Sequence, residues 1–151
     1  MFKFAVVILL CAAVSYAHMP DVFEGCIRYR RHREEPSKCT LAPPREIKGS
    51  TSFVHFAHEA LKKGGIQPSS GNLNTLLRIT RGARQNYRDL SKEVIIRVEF
   101  KTTPSSCVIP SNYSVDQCLP IAYKPNGLCQ AKFRFYRDTS EIQTAWCKPY
   151  M

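Results

Sequence analysis

The sequence predicts an α+β domain, one helix packed on an antiparallel sheet and stapled by disulfides. Three observations carry that expectation. Phe53, Phe56, Ala57, Ala60 and Leu61 recur at helical spacing. Further along, apolar and polar residues alternate with period two in several runs. Cys107, Cys118, Cys129 and Cys147 are separated by 10, 10 and 17 intervening residues, a spacing that suits two consecutive stapled hairpins.

Residues 1–17 read as a secretory signal. Lys3 supplies the positive start, residues 4–14 an apolar run, and Ser15 and Ala17 the small residues of a cleavage site. That run is shorter than the roughly 20 residues that span a bilayer, so no transmembrane segment is expected. The mature chain would start near His18 and be a secreted, extracellular protein in an oxidising compartment. Cys11 leaves with the signal, so the seven cysteines become six. Six cysteines allow about 15 pairings. Short closures favour Cys26 with Cys39, Cys107 with Cys118 and Cys129 with Cys147.

Residues 18–50 read as an irregular, basic disulfide loop and linker, broken at Pro43-Pro44. The compact domain is expected over 51–151. Ser52 is positioned to cap the helix and Gly64-Gly65 to end it. Leu73, Thr75, Leu77 and Ile79 alternate as a strand, and residues 82–91 read as a polar connection. The clearest strand covers 93–102, with Val94, Ile96, Val98 and Phe100 on one face and Ile95, Arg97, Glu99 and Lys101 on the other. A strand over 117–123 carries Pro120, which places it at an edge. Pro125-Asn126-Gly127 is a turn signal. Residues 128–136 alternate again, 137–140 turn the chain, and 141–147 form a last strand.

This order and these cysteines resemble the cystatin superfamily, most of all the cathelin-like propiece of cathelicidins. There, a strand ending in an F-x-V-K-E-T-x-C type of motif opens a similar cysteine array. The matching stretches here are Val98-Glu99-Phe100-Lys101-Thr102-Thr103, with Cys107 four residues later, and Lys124-Pro125-Asn126-Gly127-Leu128-Cys129. The resemblance covers roughly residues 52–147 and implies a cystatin-like fold, a helix wrapped by a curved sheet. The Cys26–Cys39 loop falls outside the family pattern. The chain runs only four residues past Cys147, so the C-terminal antimicrobial peptide of cathelicidins is not expected.

Inhibitory cystatins block papain-like cysteine proteases with an N-terminal Gly, a first hairpin loop reading Q-x-V-x-G and a second reading Pro-Trp. The resemblance places the first loop at Gln85-Asn86-Tyr87-Arg88-Asp89 and the second near 137–141. Gln85 fits, whereas Tyr87 and Asp89 stand in place of Val and Gly. Gly49 is the candidate for the N-terminal Gly. The second loop has no Pro-Trp, and Trp146 beside Cys147 is expected in or next to the sheet.

The net charge of +10 favours anionic partners such as glycosaminoglycans or lipid head groups. Arg28, Arg30, Arg31, Arg33 and Lys38 concentrate it between Cys26 and Cys39, as candidates for binding an anionic surface. Two function classes follow. One is a basic extracellular binding, defence or venom factor; the alternative is a cystatin-type protease inhibitor with divergent loops. No cysteine is left spare as a nucleophile, and no nucleophile elbow, phosphate loop or metal-ligand motif is present, so neither enzyme activity nor a cofactor is expected. His55 and His58 share a helix face without further ligands, and no metal is expected. Phe133, Phe135 and Tyr136 among cations are explained by strand alternation, not by nucleic-acid binding. Asn112-Tyr113-Ser114 is a glycosylation sequon. A monomer is expected.

Overall fold

The computed structural model describes residues 19–29, 36–87 and 92–151. The expected signal over 1–17 and the candidates Arg30, Arg31 and Arg33 lie outside the described residues. Among those described, six strands form one sheet in chain order: β1 (Ile27–Arg28), β2 (Thr40–Leu41), β3 (Asn72–Asn86), β4 (Val94–Val108), β5 (Gly127–Tyr136) and β6 (Thr139–Pro149). Helices α1 (Pro44–Gly49) and α2 (Thr51–Lys63) lie between β2 and β3. β1 and β2 pair in parallel, and the later neighbours pair antiparallel. The architecture is α+β, as the sequence predicts.

The helix α2 forms where the apolar stripe predicts it. Phe53, Phe56, Ala57, Ala60 and Leu61 are all buried against the sheet. Its cap is Ser50 and not Ser52: the Ser50 hydroxyl accepts from the Phe53 N–H at 3.3 Å. At the far end the Gly64 N–H returns to the Ala60 carbonyl at 2.8 Å. The Phe53 ring lies flat on β3 at Gly82, where a Cβ would sit 2.6 Å from the ring. From the sheet, Ile96, Val98, Phe100, Cys129, Ala131 and Phe133 complete the core.

The described parts of residues 18–50 are not the irregular linker that their Pro and Arg content predicts. β1 and β2 extend the sheet, with Ile27 opposite Thr40 and Arg28 opposite Leu41. The Cys26–Cys39 disulfide closes the pair immediately ahead of both strands. Pro44 does not break the chain but opens α1, because its fixed φ suits the first helical position, where no N–H is needed.

β3 runs six residues further than its alternation predicts. Register shifts fall between Asn72 and Asn74, Leu76 and Arg78, and Ile79 and Arg81. Each extra residue reverses which side chains face inward, so the period-two signal ends while the pairing continues to Asn86. The strand expected over 117–123 is reduced to a bridge between Ser105 and Pro120, since Pro120 has no N–H to offer a ladder. Gly127 starts β5 instead of sitting in a turn; a Cβ there would lie 2.6 Å from the Thr102 hydroxyl.

The second face of β4 is covered. Ile95, Arg97 and Glu99 are buried, and Glu99 lies beneath the segment that leads into β1. Phe23 packs with Cys39 and Ala83, and the Arg81 guanidinium stacks 4.4 Å from the Phe23 ring. Arg81 also pairs with Asp21 at 3.2 Å and donates from Nε to Glu99 at 3.0 Å. Gln130 donates to Glu99 at 2.7 Å and accepts from the Val22 N–H at 2.9 Å. Trp146 stands in β6 opposite Gln130 and donates to the Pro20 carbonyl at 3.1 Å, so it is a sheet residue as expected.

Candidate functional site

Antiparallel register brings two connections to one edge of the sheet. Asn86 pairs with Val94, Val94 with Phe135, and Tyr136 with Thr139. The β3–β4 connection, residues 87–93, therefore leaves the sheet beside the β5–β6 turn at Arg137 and Asp138. The second hairpin is tight: Arg137 holds φ at 55° and the Thr139 hydroxyl donates to the Tyr136 carbonyl at 2.9 Å. The Arg137 guanidinium lies 5.1 Å from the Tyr136 ring. An ion pair between Arg134 on β5 and Glu93 at the base of the first loop, 3.0 Å, ties the two hairpins together.

Gln85 and Tyr87, the candidates for the first loop, are joined. Gln85 stands inside β3, opposite Ile95, so it supports the loop without forming its tip. Its amide donates to the Tyr87 hydroxyl at 3.0 Å and to the Ser37 carbonyl at 2.8 Å. The Tyr87 N–H donates to the Glu93 carbonyl at 3.0 Å and closes the neck of the loop. Arg88 and Asp89 lie outside the described residues. Ser37, at φ 64°, also donates its N–H to Asn86 at 2.9 Å. The return limb of the Cys26–Cys39 loop is thus bonded to the first hairpin, a connection that the spacing of the cysteines does not reveal.

The other candidates lie apart. Gly49 ends α1, exposed and with open space around it. It follows β2, so it does not precede the sheet as an N-terminal wedge residue would. Its helix is held to β3 by the Glu46–Arg84 pair at 2.9 Å. Arg28 is exposed on β1, and Lys38 is exposed one residue before Cys39. Asn112 is exposed in the loop closed by Cys107 and Cys118.

Behind the hairpin edge is a cleft of about 370 Å³. Phe56, Val94, Ile96 and Phe135 make its apolar floor, and Ser52, His55, Asp138 and Ser140 its rim. The six described cysteines are all paired, with Cys129 directly opposite Cys147 across β5 and β6. The edge therefore offers the neck of one loop, one tight turn and a cleft, but no thiol nucleophile among the described residues. His58 is engaged elsewhere, its Nδ1 lying 2.7 Å from the Tyr113 hydroxyl. Burial, with a lesser contribution from His55, holds its pKa below the usual histidine value, so it favours the neutral form. No group of three metal-ligand side chains occurs among the described residues. No described helix is long and apolar enough to cross a membrane.

The Glu93–Arg134 pair and Ser37 were not singled out from sequence. Their roles depend on register across strands that are 41 and 48 residues apart in the chain. Only the position of Glu93, at the start of the clearest alternating run, was a signal.

No protein-family model matches the chain, and no curated protein sequence matches it. Solved structures do. One is mialostatin, a gut cystatin from the hard tick Ixodes ricinus: 19% identity over 75% of this chain and 99% of that one, with a TM-score of 0.57. Another is a salivary cystatin from the soft tick Ornithodoros moubata: 18% identity over 76% of this chain and 99% of that one, also with a TM-score of 0.57. The chain has the cystatin fold, and its Cys26–Cys39 loop is bonded to β3 through Ser37.

Proposed function

We propose that this chain is a secreted, non-enzymatic inhibitor of papain-like cysteine proteases, acting through the hairpin edge of a cystatin fold. One observation carries the reading: the β3–β4 connection and the β5–β6 turn leave the sheet side by side, braced by Arg134 and Glu93. Cystatins enter a protease cleft with loops at this position. The likeness to two tick cystatins over nearly their full length supports it. The three disulfides fit an oxidising, extracellular compartment.

The chemistry of the wedge differs from the family pattern. Tyr87 takes the place of a small apolar residue, and Arg137-Asp138 the place of Pro-Trp. Contact then rests on aromatic and charged groups, with Tyr87 and Tyr136 supplying the area and Arg137 the charge. Tyrosine and arginine are the residue types on which interface energy concentrates. Preorganisation by the Gln85–Tyr87 and Glu93–Arg134 contacts reduces the ordering entropy lost on binding.

Titration of papain or a cathepsin with the purified protein tests this. Activity is expected to fall in proportion to added protein at submicromolar concentration. Tyr87→Ala should weaken inhibition roughly tenfold, about 1.4 kcal/mol, with the fold unchanged by circular dichroism. Full protease activity at micromolar protein would overturn the reading.

A further inference from the structure

Of nine exposed large apolar side chains among the described residues, Tyr29 and Val54 stand apart, and the other seven, Val108, Val115, Leu119, Ile121, Tyr123, Tyr150 and Met151, belong to the part of the molecule away from the hairpin edge. Val108 is 59% exposed, Leu119 57%, Ile121 59% and Tyr123 89%. Their arrangement is ordered. The Ser105–Pro120 bridge sets Leu119 across from Ser106 and Ile121 across from Pro104, with the Ser106 N–H donating to the Leu119 carbonyl and the Ile121 N–H to the Pro104 carbonyl. Leu119 and Ile121 flank the bridge residue Pro120 and are exposed, Tyr123 follows them at a bend, and exposed Val108 ends β4. The Cys107–Cys118 disulfide fixes this tip from behind, where Cys118 is buried.

Cations flank these apolar side chains. Lys124 adjoins Tyr123 and is exposed. Arg78 lies opposite Lys101, and Lys101 and Lys148 both lie opposite Leu128, so these three cations form a row across β3, β4 and β6 beside Tyr150. The Lys101 ammonium donates to the Tyr150 hydroxyl at 2.6 Å and lies 4.0 Å from its ring. Asp116 is the acidic residue of the tip. Aliphatic side chains with a tyrosine at the margin and lysines around them match the chemistry of the interface of an anionic bilayer. There the chains enter the acyl boundary, the phenol stays at the head groups, and the ammonium groups pair with lipid phosphates and carboxylates.

We propose that the 108–123 tip, together with the C-terminal Tyr150-Met151, docks on anionic lipid surfaces. It would leave the hairpin edge facing away from the membrane. This differs from docking through the Cys26–Cys39 loop, because affinity depends on apolar side chains as well as on charge. It is also independent of protease inhibition, whose loops lie at the other end.

Vesicle co-sedimentation of the purified chain tests it, with phosphatidylserine–phosphatidylcholine vesicles against phosphatidylcholine alone. The protein is expected to bind the anionic vesicles and only weakly the neutral ones. L119S/I121S/Y123S should lower the partition coefficient at least tenfold, with circular dichroism unchanged, since these side chains are exposed. Tyr123→Trp should shift its emission to the blue on anionic vesicles. Absence of binding by the parent chain would overturn the proposal. So would equal binding by the triple variant, or loss of binding on Arg28→Ser with Lys38→Ser but not on changes at the tip. A dimer in sedimentation that the triple variant abolishes, without vesicle binding by the parent, would assign the patch to a second copy instead.

Discussion

Glu99 shows how one residue can be read correctly in position and wrongly in environment. Alternation puts it opposite Val98 and Phe100, facing away from the helix, and it does face that way. It is nevertheless buried, because the segment that enters β1 lies over it. Burial alone would raise its pKa. Hydrogen bonds from Arg81, Thr80 and Gln130 and the charge of Arg81 outweigh that and hold the carboxyl below its ordinary value. A depressed carboxyl stabilises the fold fully above the unfolded value, about 4.3, and that contribution is lost as pH falls through the folded value. Glu99→Gln is therefore expected to lower Tm at neutral pH and to flatten the fall of Tm below about pH 4, read by thermal melts at a series of pH values. Arg97, two residues earlier, has Nε and Nη1 buried with no partner among the described residues. Burial lowers its pKa, the direction for a cation that has lost water without gaining a carboxylate.

At the scale of elements, α2 and β5 were legible and β3 was only half so. The stripe from Phe53 to Leu61 named all five buried residues of α2, since a helix that packs on a sheet must bury one face. Its start was misread by two residues because the hydroxyl oxygens of Ser50 and Ser52 are equally good acceptors for a free N–H. The choice between them rests on which serine leaves the helical φ and ψ, and Ser50 does. Ser50→Ala is expected to cost about 1 kcal/mol, and Ser52→Ala only a few tenths, as measured by urea unfolding. In β3, three register shifts broke the alternation that pattern reading relies on. Gln85 was consequently assigned to a loop when it belongs to the strand beneath it. The candidate site inherited that shift: Tyr87 stands at the neck of the loop, and Gln85 holds it there.

Across the whole molecule, the Cys26–Cys39 loop is the main departure from what the sequence suggested. Its arginines made it look like a separate basic finger. Instead the loop adds β1 and β2 to the sheet, and its limbs are tied down at Ser37 and, through Asp21 and Val22, at Arg81 and Gln130. Replacing Cys26 and Cys39 by serine is expected to cost about 2–4 kcal/mol. Hydrogen exchange should rise mainly in residues 19–29, while β4 and β5 stay protected. Uniform loss of protection across the sheet would show that the N-terminal segment is part of one cooperative unit with the core. The two proposed functional ends are expected to be independent in the same sense. The hairpin edge and the apolar tip lie at opposite ends of β4, and substitution at one should leave the other intact.

The sequence by itself determined the class of fold, the helix stripe, the strong strands β4 and β5, and the three cysteine pairs favoured by short closures. These depend on residues near one another in the chain, or on the periodicity that burial of one face imposes. Only the tertiary structure decided that Asp21, Val22 and Phe23 lie over the second face of the sheet, that Glu93 and Arg134 brace the two hairpins, and that Leu119, Ile121 and Tyr123 are exposed at the end of the sheet that carries Val108. Each of these joins segments through cross-strand register. Register is fixed by bulges and by side-chain packing between distant stretches, neither of which leaves a local trace in the chain.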